Sequence, residues 1–155
     1  MGRPGGAAFL LAQLGAHAAE RFAQRIAELD ITPPVAGVLG QLASVPGLSQ
    51  QDLANRLGML PSRLVVLVDD LEARGLVRRV RDDADRRRNS LQLTDDGRAM
   101  FAKIGKHGRE HEAAICAALS ERERDQLVRL LGRIADEQGL TPGVHPGYRT
   151  LRARS

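Results

Sequence analysis

The stretch from Ser49 to Gly97, SQQDLANRLGMLPSRLVVLVDDLEARGLVRRVRDDADRRRNSLQLTDDG, decides the fold. It reads as a short polar helix, a glycine turn, an apolar helix, an arginine-rich hairpin and the start of another helix. Ser49 is placed to cap the first of these, with Asp52 in its opening turn and Gly58 as a left-handed stop. The next helix runs from Pro61 to Arg74 and halts at Gly75. Val77–Val80 and Ser90–Leu93 alternate as short strands around a tip from Arg81 to Arg88. Two helices joined by a tight turn can set the second into a DNA major groove, and a basic hairpin behind them offers another contact to the same duplex. The order is that of a winged helix-turn-helix.

Outward from this stretch the chain is helical. Leu10, Leu14, Ala18, Phe22 and Ile26 recur every four residues, so a helix from Gly6 to Leu29 carries one apolar stripe. Thr32 and Pro33 open a second helix, with Val35, Val38, Leu39 and Leu42 inward and Pro46-Gly47 at its end. Thr94 caps a fifth, helped by Asp95 and Asp96 at the positive end of its dipole, and the pattern predicts that it extends to Leu119. Ser120 and Glu123 spell a capping box for a sixth, striped by Leu127, Leu130, Leu131 and Ile134 and stopped by Gly139 and Pro142. The fold class is therefore mainly α with a small β-hairpin wing. Its expected parts are an N-terminal dimerisation helix (1–31), a DNA-binding lobe (32–97), C-terminal dimerisation helices (98–139) and a basic tail (140–155).

Composition narrows the function. The 155 residues are 43% hydrophobic and 27% charged, as in an ordinary globular domain. Net charge is only +4, but nearly all the basic residues are arginines, and seven of them against three aspartates lie between Arg74 and Arg88. A modest net charge with one dense cluster suits a protein that meets a polyanion with one face. With 3% aromatic residues and no Trp, stacking on single strands lacks its platforms. Cys116 is the lone cysteine, so neither a disulfide framework nor a cysteine zinc site is expected. The N-terminal apolar run imitates a signal peptide up to Ala16–Ala18, yet Gln13 and Gly15 interrupt it and the helical stripe continues past it. A cytoplasmic location without a membrane partner is the expectation.

With Leu64, Leu67, Val68 and Leu71 inward, the fourth helix turns Ser62, Val66, Asp69 and Ala73 outward, with Arg63, Val65 and Asp70 on the flanks. A solvated face would carry Glu, Lys or Gln there. Small and apolar groups let a helix sit deep in a groove and touch thymine methyls, while Arg63 can reach guanine or a phosphate. Packing of Val65 and Val66 on a neighbouring element is the competing reading, and the basic hairpin weighs against it. Arg86, Arg87 and Arg88 can enter a minor groove or grip phosphate. Asp85 is tolerable beside DNA as a brace for one of these arginines.

These residues resemble the MarR family of bacterial transcriptional regulators. The likeness rests on LSQQDLANRLG (48–58), LPSRLVVLVDDLEARGLVRR (60–79), Asp85-Arg86-Arg87 with the spaced Leu93, Thr94 and Gly97, and the closing helix LSERERDQLVRLLGRI (119–134). One departure is Leu60, where a capping Ser, Thr or Asp is usual before Pro61. The resemblance implies a homodimer joined through the first, fifth and sixth helices. Ser62, Arg63, Val65 and Val66 would then face bases, with Arg86, Arg87 and Arg88 as wing contacts. It further implies a repressor, often of an efflux or catabolic gene, released when a small phenolic or acidic compound binds between the dimer helices and the DNA-binding lobe. The stripes on the first and last helices point to a dimer independently, because the middle helices already fill a core. Two-fold symmetry then expects a pseudo-palindromic double-stranded site with half-site centres roughly 34 Å apart.

Effector chemistry is the least determined. Met100, Ile104, His107, His111 and Ile115 share one side of the fifth helix. His107 and His111 have the spacing that lets two imidazoles share a metal, with His17 as a distant third ligand. They read more simply as interface residues, so no metal or cofactor is assigned. His17 and Arg21, with His107 and His111, form a candidate pocket for an anionic effector. Cys116 lies off this stripe and reads as inert rather than as a redox sensor. Two alternatives compete: a metal- or redox-responsive regulator of the same fold, and a winged-helix protein–protein module. The arginine wing counts against the second. An enzyme is not expected, since no phosphate loop, nucleophile elbow or HExxH motif occurs.

Overall fold

The computed structural model describes residues 5–81, 89–145 and 148. Among them are helices α1 (Ala7–Ala27), α2 (Pro33–Ser44), α3 (Gln50–Leu57) and α4 (Pro61–Ala73), then strands β1 (Val77–Arg81) and β2 (Asn89–Leu93), then α5 (Asp95–Ile115) and α6 (Glu121–Glu137). The capping expected from sequence is largely present. The Ser49 hydroxyl accepts from the Asp52 N–H at 3.1 Å, and Gly58 closes α3 in the left-handed region at φ 63°. At α6 the Ser120 hydroxyl accepts from the Glu123 N–H while the Glu123 carboxylate accepts from the Ser120 N–H at 2.8 Å. Thr32 occupies the cap position of α2, but its side chain makes no capping bond.

Two helix ends depart from expectation. α1 stops at Ala27 rather than Leu29, because the Leu29 and Ile31 N–H groups both turn back to the Ile26 carbonyl. α5 stops at Ile115, not Leu119, although Ala117, Ala118 and Leu119 are good helix formers. The Leu119 N–H instead closes a turn on the Cys116 carbonyl and delivers Ser120 to the capping box. Tertiary direction overrides local propensity there.

The core belongs to the middle of the chain. Val38 and Leu39 of α2, Leu53 and Leu57 of α3, Leu64, Val68 and Leu71 of α4, and Val77 and Leu91 of the hairpin are all almost fully buried. The strands pair antiparallel with Val77 opposite Leu93 and Arg79 opposite Leu91. The segment entering α3 joins this edge as well: the Leu91 N–H donates to the Leu48 carbonyl at 2.8 Å beside a Ser49–Ser90 bridge. The wing is thus fastened to the helix-turn-helix through backbone.

Outer helices dip into this core only at one end. Along α1, Leu14 is exposed, Phe22 is half-buried and Ile26 is buried. α5 buries Gly97 and Ile104 near its start, and α6 buries no residue. Beyond α6 the chain returns to the lobe. Val144 and Tyr148 pack against the core, and the Tyr148 hydroxyl donates to the Pro33 carbonyl at 3.0 Å. Part of the expected basic tail therefore serves as a strap across α2.

Candidate nucleic-acid interface

Four apolar residues of α4 anchor the helix and leave one face outward. Leu64, Val68 and Leu71 are buried and Leu67 is half-buried, so Ser62, Val66, Asp69 and Ala73 are exposed as the helical period requires. Val66 is 66% exposed, whereas Val65 and Arg63 are half-buried on the flanks. The helix enters from Leu60, whose leucine side chain offers no capping bond to the first-turn N–H groups. These amides carry the positive end of the helix dipole and lie at the end that bears Ser62 and Arg63.

Behind α4 the wing supplies a cation that sequence reasoning did not single out. The Arg79 guanidinium on β1 pairs with both Asp69 and Glu72 of α4 and reaches the Gln50 side chain of α3 at 3.4 Å. The Arg79 backbone N–H also donates to Glu72 at 3.2 Å. These partners hold its pKa above the ordinary guanidinium value, the Asp69 hydrogen bond contributing most and burial opposing. Two carboxylates on the α4 surface, Asp69 and Glu72, are thereby partly offset by one cation. Only the pairing of β1 with α4 reveals this; sequence showed two acids three apart and an arginine seven residues on. A polar cleft of about 330 Å³, lined by Ser49, Gln50, Gln51, Asp52, Arg79, Asn89 and Leu91, opens between the start of α3 and the wing. Asp85, Arg86, Arg87 and Arg88, expected as the brace and the wing contacts, lie outside the described residues.

Away from this face, α1 brings cations to α5. The His111 ring lies 5.5 Å from the Phe22 ring, and its Nδ1 is buried without a hydrogen-bond partner among the described residues. Burial first, then Arg25, Arg21 and His17, pushes the His111 pKa below its ordinary value. Of the expected effector residues, His17 and Arg21 on α1 therefore lie within electrostatic range of His111, with His107 half-buried one turn earlier on α5. Among the described residues no group of three or more His, Cys, Asp or Glu side chains converges as metal ligands. Cys116 is half-buried at the end of α5. A more apolar cleft of about 570 Å³ opens elsewhere, among Leu42 and Pro46, Leu93 of β2, and Arg98 and Phe101 of α5. Its lining includes none of the four expected effector residues. Among the described residues no helix is long and apolar enough to cross a membrane.

Comparison with known proteins agrees with this geometry. A model of the MarR family matches residues 29–88. A candidate transcriptional regulatory protein for the hcr operon of Thauera aromatica is 35% identical over 123 residues, 79% of this chain and 74% of that protein. Among solved structures, the transcriptional repressor CouR bound to a 23-mer DNA duplex superposes with a TM-score of 0.73 at 35% identity, covering 84% of this chain and 92% of its own. The PcaV transcriptional regulator of Streptomyces coelicolor superposes with a TM-score of 0.68 at 30% identity, covering 88% of this chain and all of its own.

Proposed function

The chain belongs to the MarR family of DNA-binding transcriptional regulators, and on that premise we propose that it acts as a homodimeric repressor released by a small acidic or phenolic ligand. It is a regulator and not an enzyme. The observation that carries the dimer is α6: it buries nothing, yet exposes Val128, Leu130, Leu131 and Ile134. The first half of α1 likewise exposes Phe9, Leu11 and Leu14. Apolar stripes of this extent on both outer helices are covered when a second copy supplies the same surfaces through a two-fold axis.

In that dimer each α4 enters a major groove. Ser62, Arg63, Val65 and Val66 read base edges, and Arg86, Arg87 and Arg88 hold the flanking backbone or minor groove with Asp85 as their brace. The two half-sites form a pseudo-palindrome. A repressor complexed with duplex DNA among the similar structures supports this mode. The effector is an anion that meets His17, Arg21 and His111, with His107 beside them. The support is that Arg25, Arg21 and His17 act electrostatically on His111, whose Nδ1 has no hydrogen-bond partner among the described residues.

Replacing Leu131 with Asp tests the assembly. The variant should sediment as a monomer and lose DNA affinity, while the wild-type chain sediments as a dimer. A wild-type monomer that still binds a palindromic duplex tightly would refute the reading. Reversing Arg86 and Arg87 to Glu should weaken binding to every duplex and flatten its salt dependence, because phosphate contacts release counterions.

A further inference from the structure

Among the described residues the two most exposed large hydrophobic side chains are Leu60, at 72%, and Val66, at 66%. The other exposed large hydrophobics lie on α1, on α6 or just after α6, where a second subunit accounts for them. Leu60 and Val66 stand apart, both at the leading end of α4. Among the described residues neither side chain belongs to the hydrophobic core or packs against it. The two staple positions around the start of the helix are held by Met59 and Leu64, which are 6% and 0% exposed in the core. Leu60 sits at the cap position itself, in extended conformation with φ −64° and ψ 135°, where a polar side chain would have stabilised the helix. A leucine there forgoes a cap and exposes an isobutyl group to water.

Charge explains why this end of the helix, and not the other, suits apolar recognition. Between Leu60 and Val66 the exposed residues are Pro61 and Ser62, both uncharged and compact. Further along the outward face stands Asp69, which Arg79 holds. The fully exposed residues of the leading half of α4 are thus uncharged and compact or apolar, with Arg63 half-buried on the flank. A major groove offers one apolar feature to such residues, the 5-methyl group of thymine.

We infer that Leu60 and Val66 are specificity-determining residues that each read a thymine 5-methyl group, so the preferred half-site carries thymines under the leading half of α4. This inference rests on α4 being the groove-reading helix. The six-residue separation corresponds to about 9 Å along a helix axis, so the two side chains meet different base pairs.

The test begins with duplexes selected from random DNA by the full-length chain. In the tightest of them each thymine is exchanged singly for deoxyuridine, which removes the methyl group and leaves every hydrogen-bonding edge unchanged. Binding of wild type, Leu60→Ala, Leu60→Ser and Val66→Ala is followed by fluorescence anisotropy. Wild type should lose roughly fourfold in affinity per critical methyl. That penalty should vanish at one position in the Leu60 variants and at another in Val66→Ala. Leu60→Ser restores a capping hydroxyl, so it should melt higher than wild type while losing the discrimination, which separates reading from helix stability. Wild-type indifference to every exchange, or variants that keep the full penalty, overturns the inference. Failure of the wild-type chain to select any duplex overturns instead the reading of α4 on which it rests.

Discussion

Gly97 shows how a single hydrogen atom decides the attachment of the wing. A Cβ built there would lie 2.0 Å from the Leu76 carbonyl oxygen, closer than any packed structure allows. The approach is fixed from the other side by Thr94: its N–H donates to the Leu76 carbonyl at 3.1 Å, its hydroxyl donates to the Gly75 carbonyl at 2.6 Å, and the same hydroxyl caps the Gly97 N–H. Gly97→Ala should therefore destabilise by about 1–3 kcal/mol, the usual range for overpacking, with backbone as the immovable partner. Chemical denaturation of the variant checks this, and an unchanged midpoint would disprove the close approach. His111 poses the opposite case, a residue whose consequence lies in its charge. Burial first, then Arg25, Arg21 and His17, depresses its pKa, so the folded chain resists a proton that the unfolded chain accepts near its ordinary value. The sign follows directly: this group costs nothing above about pH 6.5 and destabilises progressively as pH falls through that value toward the folded pKa. Thermal midpoints recorded from about pH 7 down to about pH 5.5, above the range where carboxylates titrate, should fall more steeply for wild type than for His111→Gln. Equal slopes would remove His111 from the account.

At the scale of elements, legibility divides according to where the determining interaction lies. Ser49, Gly58, Thr94 and the Ser120–Glu123 box act within one turn, so sequence spacing was enough to place them. The inward stripe of α4 was legible for the same reason, since periodicity picks out buried Leu64, Val68 and Leu71, whereas the outward placement of Val66 also needed the basic hairpin as an argument. The end of α5 was not, because nothing between Cys116 and Leu119 breaks a helix and the turn answers to the placement of α6. Nor was the Arg79 clamp on Asp69 and Glu72 legible, since it requires β1 to lie across α4. For α6 the local and tertiary signals can be separated experimentally. The helix buries nothing within its own chain, so its capping box bears unusually heavily on its formation. Ser120→Ala should cost about 0.5–2 kcal/mol of helix stability. If α6 pairs two subunits, that loss appears as weaker dimerisation in a dilution series, with little change in the denaturation of the winged lobe. A uniform loss across both measurements would mean that α6 is stabilised by its own lobe instead.

Among the described residues, one lobe carries nearly all of the buried core, while the outer helices reach it through buried Ile26, Gly97 and Ile104 with half-buried Phe22, Met100 and Phe101 packed alongside. Any coupling between the outer helices and α4 would then cross a few defined contacts. The strap after α6 is one of them. Tyr148 lays its ring on α2 where Gly37 has no side chain; a Cβ at Gly37 would come within 2.7 Å of that ring. Its hydroxyl donates to the Pro33 carbonyl one turn earlier, and half-burial raises its pKa by desolvation. Loss of this hydrogen bond in Tyr148→Phe should cost about 0.5–1.5 kcal/mol. Tyr148→Ala should cost more, because the ring leaves apolar surface of α2 uncovered. Gly37→Val supplies the decisive partner in a cycle: if the ring rests on Gly37, the valine displaces the strap and exchanging Tyr148 afterwards changes little. The coupling energy between residues in contact should fall in the range of about 0.5–3 kcal/mol, whereas independent sites add within about 0.5 kcal/mol. Additive losses in the Gly37→Val, Tyr148→Ala pair would mean that the strap does not rest on α2 in solution, and the outer helices would then communicate with the DNA face through α1 and α5 alone.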